Sequence, residues 1–156
     1  MKPSRDQKRQ MKSASRLYAV QALFQMEASD ADLAEVQEQF ETHRFGAEME
    51  GDIYAEGNVD LFRSLLLGAV EGQSKIDKMT DRALVAKWPI DRIDPTLRAL
   101  FRAAGAEFLT GGTPPKVVIT EFVDVAKAFF PDGKEAKFVN AVLDHIAREI
   151  APDAFE

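Results

Sequence analysis

Between Pro114 and Glu149 the chain spells a helical hairpin, and this stretch constrains the fold more than any other. Pro115 suits the first position of a helix, where its missing N–H would be unpaired anyway, and Pro114 is held extended before it. Val118, Phe122, Val125, Ala126 and Phe129 then recur at threes and fours, which is one face of a helix. Pro131-Asp132-Gly133 interrupts the run as a turn. A last helix is expected from about Glu135 to Ile150, burying Val139, Val142, Leu143 and Ile146.

The rest of the chain carries the same period. A first helix is expected to start among the N-terminal cations and run to about Met26, with Leu17, Val20, Leu23 and Phe24 inward. Asp30 or Asp32 can cap a second helix through Phe40. Residues 44–58 show no period and hold several acids, so they are expected as a mobile acidic loop or a loop with one short helical turn. Two helices follow: one from Val59 to Val70 that ends near Gly72, and one capped by Ser74 that stops at Trp88-Pro89. Asp94-Pro95 opens another helix, carrying Leu97, Leu100, Phe101, Ala104 and Phe108 to a terminator at Gly111-Gly112. No segment sustains a period of two. The expectation is an all-α fold, a single compact bundle-like domain of about seven helices spanning residues 1–156.

Composition narrows the function classes. With 46% hydrophobic and 29% charged residues, the 156-residue chain is a globular mixture that can bury a core. It has no cysteine, which excludes disulfides, thiolate metal sites and cysteine nucleophiles, and fits a reducing cytoplasm. No apolar run approaches the roughly 20 residues of a membrane span, and the N-terminus lacks the apolar core of a signal peptide. The net charge of −6 conceals an asymmetry. In residues 1–16, six cations face Asp6 alone, a net of +5, whereas residues 17–62 carry eleven carboxylates against Arg44 alone. A basic arm, residues 1–12, is expected to be mobile ahead of an acidic body.

Catalytic readings fail. His43 and His145 are the only histidines and share no metal-type spacing with acids; His145, beside an apolar stripe, reads as a surface or half-buried residue. Phosphate-loop and nucleophile-elbow motifs are missing. Gly111-Gly112 between two helices is a terminator before it is a phosphate loop, and the acids of 27–60 lack the alternation and glycine of a calcium loop. No enzyme activity, cofactor or metal is expected.

Three features point to binding instead. Arg5, Lys8, Arg9, Lys12 and Arg16 recur at threes and fours, so a helix gathers them into one cationic stripe suited to a phosphate backbone. The alternative is a solvated, frayed terminus. Phe138 beside Lys137 can stack on an unpaired base, or can fold back on the core beside Phe129 or Phe130. Leu65-Leu66-Leu67 and Phe129-Phe130 place apolar side chains off their stripes, which suggests a second apolar surface and a partner chain.

Two blocks, PPKVVITEFVDVAK at 114–127 and KFVNAVLDHI at 137–146, resemble the NusB family of bacterial transcription antitermination factors. Ala19 to Gln25 resembles that family's first helix, and so does Arg98 to Ala103, leading to Glu107-Phe108-Leu109, for a later one. The likeness spans the chain apart from the longer acidic loop. It implies an all-helical RNA-binding protein without catalysis. Such a protein binds boxA-type single-stranded RNA with NusE, a ribosomal small-subunit protein, and joins an RNA polymerase complex that promotes antitermination of ribosomal RNA transcription.

The family's RNA contacts fall here on Lys8, Arg9, Lys12 and Arg16, on Lys137 and Phe138, and on Arg102. The sequence departs from the family pattern at Ser13 and Ala14, where arginines are common, and at Thr120, Phe122 and Ala141. Other readings stay open. NusB-like domains also precede the catalytic half of some ribosomal-RNA cytosine methyltransferases, although this sequence ends soon after its last helix. A protein-only scaffold that homodimerises through its apolar helices uses the same fold.

Overall fold

The structure is a computed structural model that describes residues 4–43, 48–49, 52–53, 58–87 and 93–155. Six α-helices follow one another among them: α1 (Arg5–Ser29), α2 (Leu33–His43), α3 (Val59–Lys87), α4 (Pro95–Thr110), α5 (Pro115–Phe129) and α6 (Lys134–Ile150). A 3-10 turn, Pro152–Phe155, lies against α6. Most of the expected 44–58 loop lies outside the described residues. Where it is described, Glu48–Met49 and Asp52–Ile53 pair as a minimal antiparallel ladder rather than a helical turn. The all-α expectation holds.

Local chemistry explains the boundaries. Ser4 and Gln7 form a reciprocal capping box, so α1 is helical through the basic segment from Arg5 onward. Its C-terminus turns at Asp30, in the left-handed region at φ 60°. Asp32, not Asp30, caps α2, accepting from the Glu35 N–H at 2.8 Å. Asn58 caps α3 through the Leu61 N–H, and Asp94 caps α4 through the Thr96 N–H. Gly111, at φ 74°, ends α4 in a conformation that a side chain would strain.

One expectation is corrected. Gly72 and Ser74 do not separate two helices: α3 runs unbroken from Val59 to Lys87. An isolated glycine costs a helix only about 1 kcal/mol, and packing along the facing α4 outweighs it. A Cβ on Gly72 would stand 3.4 Å from Ile76 and 3.6 Å from Leu109, so the site is packed rather than open. At Gly105 on α4 the helices come closer still, since a Cβ there would fall 2.5 Å from Ile76 Cγ2.

The core is continuous. Phe40, Phe62, Phe101 and Phe122 are all fully buried, with the Phe40 and Phe62 rings 5.8 Å apart. α1 lies against both α3 and α4, and α5 and α6 close the other side as an antiparallel pair. Val139, Val142, Leu143 and Ile146 are buried as their spacing predicts. Phe24, expected inward, is instead exposed, and Val70 and Leu67 are exposed as well.

Candidate nucleic-acid interface

The capping box at Ser4 carries α1 about three turns beyond its first fully buried residue, Ser15. Arg5, Lys8, Arg9 and Lys12 therefore stand on one helical face and are all exposed. Arg9 lies 4.0 Å from Asp6, a loose and fully solvated contact. Arg5, Lys8 and Lys12 make no ion pair with any described residue. Opposite them runs the α4–α5 turn, and the two sides enclose a groove of about 510 Å³. One wall is the four cations; the other is Thr113, Pro114 and Val117. Arg16 and Glu121 form the floor.

Arg16, expected on the exposed stripe, is only 3% exposed. Its Nε donates to Glu107 Oε1 at 2.8 Å and its Nη2 to Oε2 at 2.7 Å, while Nη1 lies 3.4 Å from Glu121 Oε2. Burial pulls the guanidinium's pKa down, but the hydrogen bond and charge of Glu107, with the charge of Glu121, outweigh it and hold the pKa above the ordinary arginine value. Ser13, where the family commonly has arginine, donates to the same Glu121 oxygen at 3.0 Å. Arg16 is thus committed to joining α1, α4 and α5, and it leaves the exposed cationic wall to Arg5, Lys8, Arg9 and Lys12.

The remaining expected contacts lie elsewhere. Arg102 is bound through Nε and Nη2 to Asp77 at 3.0 and 2.9 Å, with Glu27 at 3.4 Å from Nη1. Lys137 is exposed at the start of α6. Phe138 is half-buried with its ring edge-on to Phe101, centroids 6.0 Å apart. Among the described residues its ring meets Phe101 rather than Phe129 or Phe130. Arg16 meets Glu107 and Glu27 meets Arg98, so α1 and α4 run antiparallel. At 1.5 Å of rise per residue, Phe138 then sits roughly 20 Å along α1 from Arg9. The structure does not bring the two ends of the expected RNA site together.

A second concavity, about 380 Å³, opens beside Phe24, which is 39% exposed, and is also lined by Ala28, Thr96 and Phe129. Gln21 Oε1 is buried at its edge without a hydrogen-bond partner among the described residues. Neither the groove's apolar wall nor this concavity is visible in the motifs. Val117 does leave a trace, as an apolar residue one step off the 118–122–125 stripe.

The NusB family profile matches residues 13–148. The chain belongs to the NusB family. It is 43% identical over 144 residues to the transcription antitermination protein NusB of Agrobacterium fabrum, covering 92% of this chain and 87% of that protein. To the protein of the same name from Maricaulis maris it is 44% identical over 154 residues, 98% and 95% of the two. Among solved structures, T. maritima NusB superposes with a TM-score of 0.70 at 30% identity, covering 99% of each chain. The NusB chain of a complex of antitermination factors NusB and NusE with double-stranded RNA gives the same TM-score at 24% identity, covering 88% of this chain and 96% of that one. This last likeness speaks to the fold alone. Among the described residues no helix is long and apolar enough to cross a membrane.

Proposed function

We propose that this NusB-family protein is a transcription antitermination factor that binds boxA-type single-stranded RNA together with NusE. In this reading it acts within an RNA polymerase complex, by binding rather than by catalysis. The observation that carries the reading is the groove along α1, where four exposed cations stand on one helical wall and, among the described residues, have no strong carboxylate partner. Four neutralised phosphates on a single strand give a slope of about −3 in log affinity against log salt, so binding depends steeply on ionic strength.

The concavity at Phe24 supports a protein partner. An exposed aromatic rim suits a partner that brings apolar side chains. A basic ribosomal protein also complements the acidic residues 17–62. A second copy of this chain is the competing occupant.

A mobility shift with boxA and scrambled RNA, with and without NusE, at two salt concentrations tests the reading. The expected result is tighter binding of boxA, enhanced by NusE and weakened by salt. Equal and salt-independent binding of both RNAs would remove it. Phe24→Asp is expected to abolish the NusE enhancement while leaving RNA binding by the protein alone in place.

A further inference from the structure

The groove's two walls differ in kind, and that difference carries more than charge attraction. On the α4–α5 side, Val117 is 44% exposed while its neighbour Val118 is fully buried, so Val117 contributes little to the core. Pro114 is exposed beside it. The floor between this wall and the cations holds the carboxylate of Glu121, fixed by Ser13 and Arg16. A phosphate entering the groove is therefore attracted by Lys8 and Lys12 on the α1 side and repelled from the floor.

We infer that the groove holds an unpaired RNA strand edge-on, with phosphates along α1 and the nucleobase and ribose faces against Pro114 and Val117. This rests on the RNA reading above and assigns Val117 as a contact that selects single strands. A duplex presents phosphates but keeps its base faces stacked, so it can satisfy only the cationic wall. An unpaired nucleotide offers a phosphate and an apolar face at once, and it meets both walls.

The test is fluorescence anisotropy with three probes: a 12-nucleotide unpaired RNA, the blunt duplex of the same sequence, and inorganic polyphosphate. Val117 is exposed, so Val117→Ser and Val117→Phe are expected to fold, which circular dichroism melting checks. Val117→Phe supplies a stacking ring and is expected to tighten the single strand about fivefold, and Val117→Ser to weaken it about threefold. Neither should change polyphosphate affinity or the salt slope. Lys8→Ala/Lys12→Ala should weaken all three probes and flatten the slope. Single-strand affinity that ignores both Val117 substitutions would overturn the assignment, even with salt-dependent RNA binding intact; so would a parallel change in polyphosphate affinity. A parent protein that shows no salt-dependent RNA binding would instead remove the RNA reading itself.

Discussion

Arg16 on α1 and Glu107 on α4 close a two-pronged ion pair in the interior, 2.8 Å at Nε and 2.7 Å at Nη2, with both side chains almost fully buried. A guanidinium held this way matches the planar carboxylate with two parallel hydrogen bonds. Taking away one partner leaves the other charge buried and uncompensated, which costs about 3–5 kcal/mol. Arg16→Ala and Glu107→Ala are each expected to lose stability of that order in urea denaturation, and Arg16→Met/Glu107→Leu to recover most of it. A loss under 1 kcal/mol for Arg16→Ala would show that water entry or protonation of Glu107 accommodates the site without the pair.

The same pair divides the N-terminal cations into two jobs. Lys8→Ala/Arg9→Ala/Lys12→Ala removes exposed charges only, so the melting temperature is expected to stay within about a degree or two, in keeping with surface substitutions. The slope of log affinity against log salt should flatten by about 2, at roughly 0.7 per lost phosphate contact on a single strand. Isothermal titration at three salt concentrations measures it. An unchanged slope would mean that the α1 wall does not meet the phosphates.

How much of this was legible in the chain follows from what each signal reports. Apolar spacing reports burial, and it located α4, α5 and α6 nearly to the residue, because Asp94-Pro95 and Pro114-Pro115 mark helix starts chemically. It divided α3 at Gly72 because a glycine followed by a capping serine looks the same whether or not another helix covers it. Only the seam with Ile76 and Leu109 shows that this glycine is packed. Periodicity also cannot separate an inward residue from one that faces a surface concavity, which is why Phe24 reads as core. Arg16 shares the spacing of Lys8 and Lys12, yet its carboxylate partners are 91 and 105 positions away in sequence and leave no local trace.

The seam between α3 and α4 makes a sharp prediction at Gly105. A Cβ there meets Ile76 at 2.5 Å from Cγ2 and 3.3 Å from Cβ, close to the backbone where the side chain cannot swing away. Gly105→Ala would ordinarily favour a helix by about 1 kcal/mol. Here overpacking reverses the sign, and a net loss of about 1–2 kcal/mol is expected. Gly105→Ala/Ile76→Leu removes the Cγ2 branch that faces the new Cβ and should restore part of it. A stabilised Gly105→Ala variant in thermal melts would mean that the helices separate without penalty.

Glu27 should contribute to the loss of stability in acid. The hydrogen bond from Arg98 holds its carboxyl below the ordinary carboxylate range; burial opposes this, and the charges of Arg98 and Arg102 add to it. A carboxyl depressed in the folded state adds stability above its unfolded pKa and loses that contribution as pH falls through the lower folded value. The melting temperature is therefore expected to decline as pH drops from the ordinary carboxylate range downward. Glu27→Gln should melt slightly lower near neutrality, by the modest amount a partly exposed pair contributes, and decline correspondingly less, so that the two curves converge at low pH. Parallel melting curves for the two proteins would assign the acid loss elsewhere.

Phe138 remains the residue where packing and recognition compete, and one substitution set separates them. Its ring is half-buried and edge-on to Phe101, so part of it supports the core while Lys137 beside it is exposed. Full truncation of a buried phenylalanine costs about 3–5 kcal/mol, so about 2 kcal/mol is expected for Phe138→Ala at half burial. Phe138→Leu keeps most of the apolar volume and loses the aromatic face, so it should cost under about 1.5 kcal/mol. If Phe138 also stacks on a base, Phe138→Leu should weaken RNA several-fold, since such stacking contributes about 1–3 kcal/mol per base. Lys137→Ala should then add to the loss. Normal RNA affinity in Phe138→Leu, with only the expected drop in melting temperature, would confine the ring to the core and leave the α1 groove as the seat of recognition.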